Sequence, residues 1–144
     1  MGYLQNRIAS SLRRGKTYII GVLIPSADIN FFGSIVHGIE NISGQHGYNI
    51  LLFQTNEKEA LEKKGIDTFL SLKVDGILAS LAKETRDYSH FDEVEHQGTH
   101  LVFFDRVPLS HNYSSVVIDD FQGAYDATMH LLKKGYKRIA HISG

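Results

Sequence analysis

Apolar and polar positions alternate in blocks along the chain. Tyr18–Ile24 is a continuous apolar run, the pattern of a strand buried on both faces. Tyr48–Gln54, Gly76–Leu81, His100–Phe104 and Ser115–Ile118 repeat it, and Arg138–Ser143 predicts a sixth strand. Helical patterns lie between them. Over Phe31–Gln45, Ile35, Ile39 and Ile42 fall at i, i+4 and i+7, and Gly47 stops the helix. Glu57–Leu72 is charge-rich, with Leu61, Phe69 and Leu72 as its apolar positions. Arg86–Gln97 is a weaker helix. Phe121–Lys134 carries Ala124, Ala127 and Leu131 at helical spacing, Gly135 terminates it, and Asp119 or Asp120 caps its start.

This alternation predicts βαβ units with right-handed crossovers, hence an α/β fold with a doubly wound parallel sheet. In such sheets ligands bind beyond the carboxyl ends of the strands. Three segments fall there: Pro25–Phe32, Phe104–Pro108 and Asp119–Gly123.

Composition narrows the class. A chain of 144 residues with 42% hydrophobic and 22% charged residues is ordinary for one globular domain. There is no Cys, which excludes disulfides and thiolate chemistry. No apolar run reaches the roughly 18–20 residues of a membrane span. YIIGVLIP lacks a following small-residue cleavage site, so it reads as a strand and not as a signal-peptide core.

Charge is unevenly placed. Between Met1 and Thr17 stand Arg7, Arg13, Arg14 and Lys16 with no acidic residue, while the whole chain carries a formal charge of −1. A basic arm on an acidic body suggests a module that touches nucleic acid through one end. The chain stops just after a strand and starts within a motif, which reads as a piece of a longer protein.

Several chemistries can be set aside. Gly15-Lys16-Thr17 imitates the end of a phosphate-binding loop, but Ser10 stands where that loop needs Gly. His96 and His100 have metal-ligand spacing, but Gly98 lies between them and His100 opens a strand, so the expectation is no metal. There is no Gly-x-Ser-x-Gly elbow and no catalytic set, so no enzyme and no cofactor are expected.

The residues that remain have a family likeness. NRIASSLRRGKTYIIGVLIP, then NFF, KVDGIL and VVIDDFQGAYDATMHLLKKGYKRIAHISG resemble the LacI-type (LacI/GalR) transcriptional repressors over nearly the whole chain. The resemblance implies the end of a DNA-binding headpiece and a hinge helix over residues 1–17. Residues 18–144 would then be an incomplete N-terminal subdomain of a type I periplasmic-binding-protein-like core. It further implies a cytoplasmic homodimer that binds operator DNA and a small-molecule effector. The sequence departs from the family at Asn30, where a Pro is frequent, at Asp119-Asp120 in place of Asp-Asn, and at Gly135-Tyr136 in place of Gly-His.

The likeness assigns roles. Asn6, Arg7, Ala9, Leu12, Arg13 and Arg14 fall on the hinge, with Leu12 at the position of the leucine that wedges a minor-groove base step. Arg13, Arg14 and Lys16 would add salt-dependent attraction to phosphates. A helix of about two turns is too short to hold alone in water, so it would order only when paired and bound to DNA.

For the effector, Phe31 and Phe32 could stack on a sugar or base, or both could be core; on a helix they point different ways, so one is core in any case. Asp105-Arg106 could grip vicinal hydroxyls as acceptor and donor, or form a solvated turn pair. Ser26 and Asp28 line the first loop. Asp119, Asp120 and Gln122 line the third, where capping competes with ligand contact. A sugar is the preferred effector class, with a purine-type effector or a phosphoprotein co-regulator as the family's other options. An extracytoplasmic sugar-binding protein of the same core is the alternative function.

Overall fold

The computed structural model describes residues 15–108 and 113–142. Five strands are formed: β1 (Ile19–Ile24), β2 (Asn49–Gln54), β3 (Gly76–Ala79), β4 (His100–Phe104) and β5 (Ser114–Val116). Four helices alternate with them: α1 (Asn30–Gln45), α2 (Glu59–Ser71), α3 (Ser89–His96) and α4 (Asp120–Lys133). All strand pairs are parallel, in the order β2-β1-β3-β4-β5. The order reverses between β1 and β3, which is the switch point of a doubly wound sheet.

The registers assign each side chain to a face. Val22, Leu52, Leu78 and Val102 align across the sheet, as do Leu23, Phe53, Ala79 and Phe103. The second set meets Ile66 and Phe69 of α2 and Phe91 and Val94 of α3 in the larger core. The first set's side holds Val22, Ile24, Phe32 and Phe104, with Ile35, Val36 and Ile39 of α1 packed on them. Gly21 lets α2 approach: a Cβ there would lie 2.7 Å from the Phe69 ring, which is fully buried. The expected stop of α1 is present, with Gly47 at φ +76°, a backbone region that favours glycine.

The helices fall where the periodicity puts them, within one to three residues at each end. Among the described residues the sixth strand does not form: residues 137–142 are exposed and join no ladder. Ile139 and Ile142 have strand character, but α4 has no buried residue and so does not carry the following segment back onto the sheet. A strand without a neighbour is not stable in water. Residues 1–14, including the hinge assignments Asn6, Arg7, Ala9, Leu12, Arg13 and Arg14, lie outside the described residues. Among the described residues no helix is long and apolar enough to cross a membrane.

Candidate effector site

The loops that follow β1 to β4 meet at the carboxyl edge of the sheet, beside the switch point. Arg106 is the hub. Its Nη1 donates to Glu57 Oε1 at 3.0 Å and Oε2 at 2.8 Å, and to the Leu81 carbonyl at 3.3 Å. The Leu81 N–H donates back to the Arg106 carbonyl at 3.2 Å. The guanidinium carbon stands 5.8 Å from the centroid of the Phe32 ring, a cation–π arrangement. Glu57 Oε2 also accepts from the Lys83 N–H at 2.9 Å. One carboxylate from the β2 loop thus ties together the loops after β3 and β4.

Backbone strain collects at the same place. Asn56, Glu57 and Asp105 have φ of +51°, +64° and +60°. Each left-handed non-glycine residue costs on the order of 1–3 kcal/mol, and such outliers cluster at ligand sites.

Asp105 sits against Arg106, with Oδ2 3.9 Å from Nε. Burial pushes its carboxyl above the ordinary carboxylate range, against the pull of Arg106; Asp120 pushes the same way. Because the folded pKa is the higher one, the charged form costs stability at every pH above it, and the cost fades as pH falls. Asp105→Asn removes that charge, and Asn tolerates a left-handed φ. We expect this variant to melt slightly above the parent at neutral pH, the gain being small because Asp105 is exposed and its charge is screened by solvent. We also expect it to bind effector less well, since one acceptor oxygen becomes a donor; thermal unfolding with and without ligand reads both.

The two phenylalanines divide as their helical phase requires. Phe32 is 2% exposed and packs in the smaller core, while Phe31 is 48% exposed and meets it edge to face at 5.2 Å. Ser26 and Asp28 form the turn after β1, where the Asp28 N–H donates to Ser26 Oγ at 3.3 Å. Asp119 caps α4, accepting from the Gln122 N–H at 2.8 Å. The Gln122 amide is turned along its own helix to Asp126 Oδ1 at 2.8 Å. Phe32, Asp105 and Arg106 therefore come together, with Asp120 close enough to act on Asp105. Ser26, Asp28, Asp119 and Gln122 make local bonds around them.

Glu57 was not among the expected site residues. The polar run Gln54-Thr55-Asn56-Glu57 at the end of a buried strand was the available signal. A second carboxylate was also missed. Glu62, fully buried in α2, accepts from the Ala82 N–H at 2.8 Å, Thr85 Oγ1 at 2.8 Å and His90 Nε2 at 3.0 Å. It anchors the β3 loop from below.

At the opposite, amino edge of the sheet the chain arrives from the basic arm. Asp75 there accepts from the Thr17 N–H at 2.7 Å, Thr17 Oγ1 at 2.9 Å and the Tyr18 N–H at 3.0 Å. Partial burial opposes the charge, but these hydrogen bonds hold the carboxyl below its ordinary range. The latch fixes Tyr18 at φ +56° as it turns into β1.

Comparison with known proteins gives this geometry a context. Residues 17–144 match the family described as periplasmic binding proteins and sugar binding domain of LacI family. Catabolite control protein A of Priestia megaterium is 31% identical over 144 residues, covering 100% of this chain and 43% of that protein. The ribose operon repressor of Halalkalibacterium halodurans is 30% identical, covering 100% and 42%. Among solved structures, a periplasmic binding protein/LacI transcriptional regulator from Alkaliphilus metalliredigens, complexed with D-xylulofuranose, superposes with a TM-score of 0.73. It is 28% identical and covers 87% of this chain and 44% of that one. The chain thus spans less than half the length of these relatives. With its parallel sheet, its polar cluster at the switch point and a family match running from Thr17 to the last residue, the chain belongs to the LacI-type family of periplasmic-binding-protein-like sugar-binding domains.

Proposed function

We propose that this chain is the hinge and first effector-binding lobe of a transcriptional repressor whose affinity for operator DNA is set by a small molecule, a sugar by preference. The observation that carries the reading is the tied Asp105–Arg106–Glu57 cluster over Phe32 at the switch point. It offers an acceptor and a planar donor, and the half-exposed Phe31 ring beside Phe32 adds an apolar face, the three things a sugar ring requires. The relatives' names support the regulatory half of the proposal, since two are a control protein and an operon repressor. They do not favour a secreted binding protein.

In this reading the regulator is a cytoplasmic homodimer. Residues 6–12 enter the minor groove, Leu12 wedges a base step, and Arg7, Arg13 and Arg14 contact phosphates. Unstacking costs a few kcal/mol and is offset by the contacts that the bend permits. Effector acts by its differential affinity for two arrangements of the lobes.

The test is operator binding by the whole regulator, measured by fluorescence anisotropy on a pseudopalindromic duplex at several salt concentrations. Leu12→Ala is expected to weaken binding about tenfold, since the lost wedge is worth on the order of 1–2 kcal/mol of net contact. A parent that binds this duplex no better than unrelated DNA, or a variant with unchanged affinity, would sink the hinge assignment.

A further inference from the structure

We infer that Glu57 makes this half-site selective for uncharged polyols over phosphorylated sugars and other anions, because it holds Arg106 in a neutralised pair. The inference rests on the effector reading above and deepens it. An arginine at a ligand edge ordinarily recruits phosphate, through two parallel N–H bonds and an uncompensated charge. Here the Nη1 end of the fork is engaged by both oxygens of Glu57, and Asp105 lies beside Nε. The guanidinium is flanked by carboxylates on two sides. Nη2 has no hydrogen-bond partner among the described residues, so the fork retains a donor for a hydroxyl without retaining a net positive charge.

Further carboxylates stand around the cluster. Of the other cations on the loops after β2 and β3, Lys58 pairs with Glu84 at 3.6 Å, the Arg86 guanidinium donates to the Lys83 and Thr85 carbonyls, and Lys83 is exposed. Asp28, Asp105, Asp119 and Asp120 stand at the loops after β1, β4 and β5. Asp120 is close enough to press on the Asp105 charge. A phosphate ester carries about −1.5 to −2 at neutral pH and would meet these carboxylates while the Arg106 guanidinium is already paired. A hydroxyl ligand meets acceptors and one fixed donor, which is the pairing it needs.

Glu57 is a positioning residue, since it acts through Arg106. Its backbone supports the assignment: Asn56 and Glu57 both hold left-handed φ, the conformation that carries the carboxylate to Arg106. A helix-opening glutamate with no role beyond the helix has no need of that strain.

The experiment is calorimetric titration of the whole regulator with a panel of free aldoses, ketoses and polyols, D-ribose and D-xylulose among them, and with their phosphate esters. The parent is expected to bind a free sugar at least tenfold more tightly than its ester. Glu57→Gln keeps the shape but frees the guanidinium charge, so it should raise ester affinity several-fold, lower free-sugar affinity and shrink the ratio. Asp120→Asn, at an exposed helix start, should shrink the ratio in the same direction and serves if Glu57→Gln does not fold. Esters that bind as tightly as free sugars, or a ratio unmoved by the folded variants, overturn the charge selectivity. Esters binding alone would overturn it while leaving a sugar-effector regulator intact. Binding by neither series overturns the effector reading and this inference together.

Discussion

Glu62→Ala is expected to remove about 3–5 kcal/mol of unfolding free energy, a large share of the 5–15 kcal/mol of an ordinary domain. The Glu62 carboxylate has no solvent exposure and receives three donors, from Ala82, Thr85 and His90. Ala82 and Thr85 are themselves buried, so truncation strands their donors away from water. Each unsatisfied buried group costs roughly 1–3 kcal/mol, and the vacated side-chain volume adds a cavity cost. Glu62→Gln should cost less, about 1–3 kcal/mol, because the amide keeps the volume and one acceptor but turns its NH2 toward a donor. Urea unfolding of both variants gives the comparison. The double variant with His90→Ala measures the coupling, expected at 0.5–3 kcal/mol. A loss below 1 kcal/mol for the alanine variant would show that the β3 loop is held by something else.

Glu62 is not legible in the sequence for a physical reason. Glu62, Gly65, Ile66 and Phe69 lie at i, i+3, i+4 and i+7, and all four are buried. The helix was read by Leu61, Phe69 and Leu72, yet Leu72 is half exposed. Charge density masked the true stripe, because a glutamate occupied one of its positions. Periodicity reports which face is buried only when the buried residues are apolar. The same limit applies to Glu57, which the pattern places at the start of a helix that begins at Glu59. What it does depends on loops brought together from residues 81 to 106, and no local pattern encodes that meeting.

The legible parts were those in which one segment suffices. The β1 run is apolar throughout because both its faces are covered, by α1 on one side and by α2 on the other. Asp119 caps α4 as its position before the helix predicts. Arg138–Ser143 failed for the opposite reason. Its apolar character was read correctly, but strand formation is a property of pairs, and the sheet ends at β5.

The Asp75 latch and the Arg106 cluster lie at opposite ends of a single strand, β1. Thr17 and Tyr18 are latched to Asp75 at the amino end of β1, and the Arg106 cluster lies beyond its carboxyl end. Six strand residues span about 20 Å. β1 is paired on both sides and its last four residues are fully buried, so it has no slack with which to pass a local distortion. On the proposed reading, an effector signal crosses this distance as movement of the whole lobe. The Asp75 latch ties Thr17 and Tyr18 to that movement.

Arg106→Lys is expected to weaken effector binding by the whole regulator about 100-fold, equivalent to roughly 2.7 kcal/mol. Lysine preserves the charge, so a purely electrostatic role would survive the change. The geometry asks for more than charge. One nitrogen bonds both oxygens of Glu57 and the Leu81 carbonyl, while the planar group lies over Phe32 and leaves Nη2 unbonded among the described residues. An ammonium is a compact, strongly hydrated point charge without a fork; it can keep Glu57 but cannot at once hold the loop, stack and present a second donor in a fixed direction. Fold stability should change little by comparison, because Arg106 is half-buried and the backbone bond from Leu81 to residue 106 does not depend on the side chain. Calorimetric titration with the best-binding free sugar, beside thermal unfolding of the unliganded variant, separates the two effects. Affinity within threefold of the parent would reduce Arg106 to a tie between loops and remove the residue on which ligand recognition by this lobe is argued to turn.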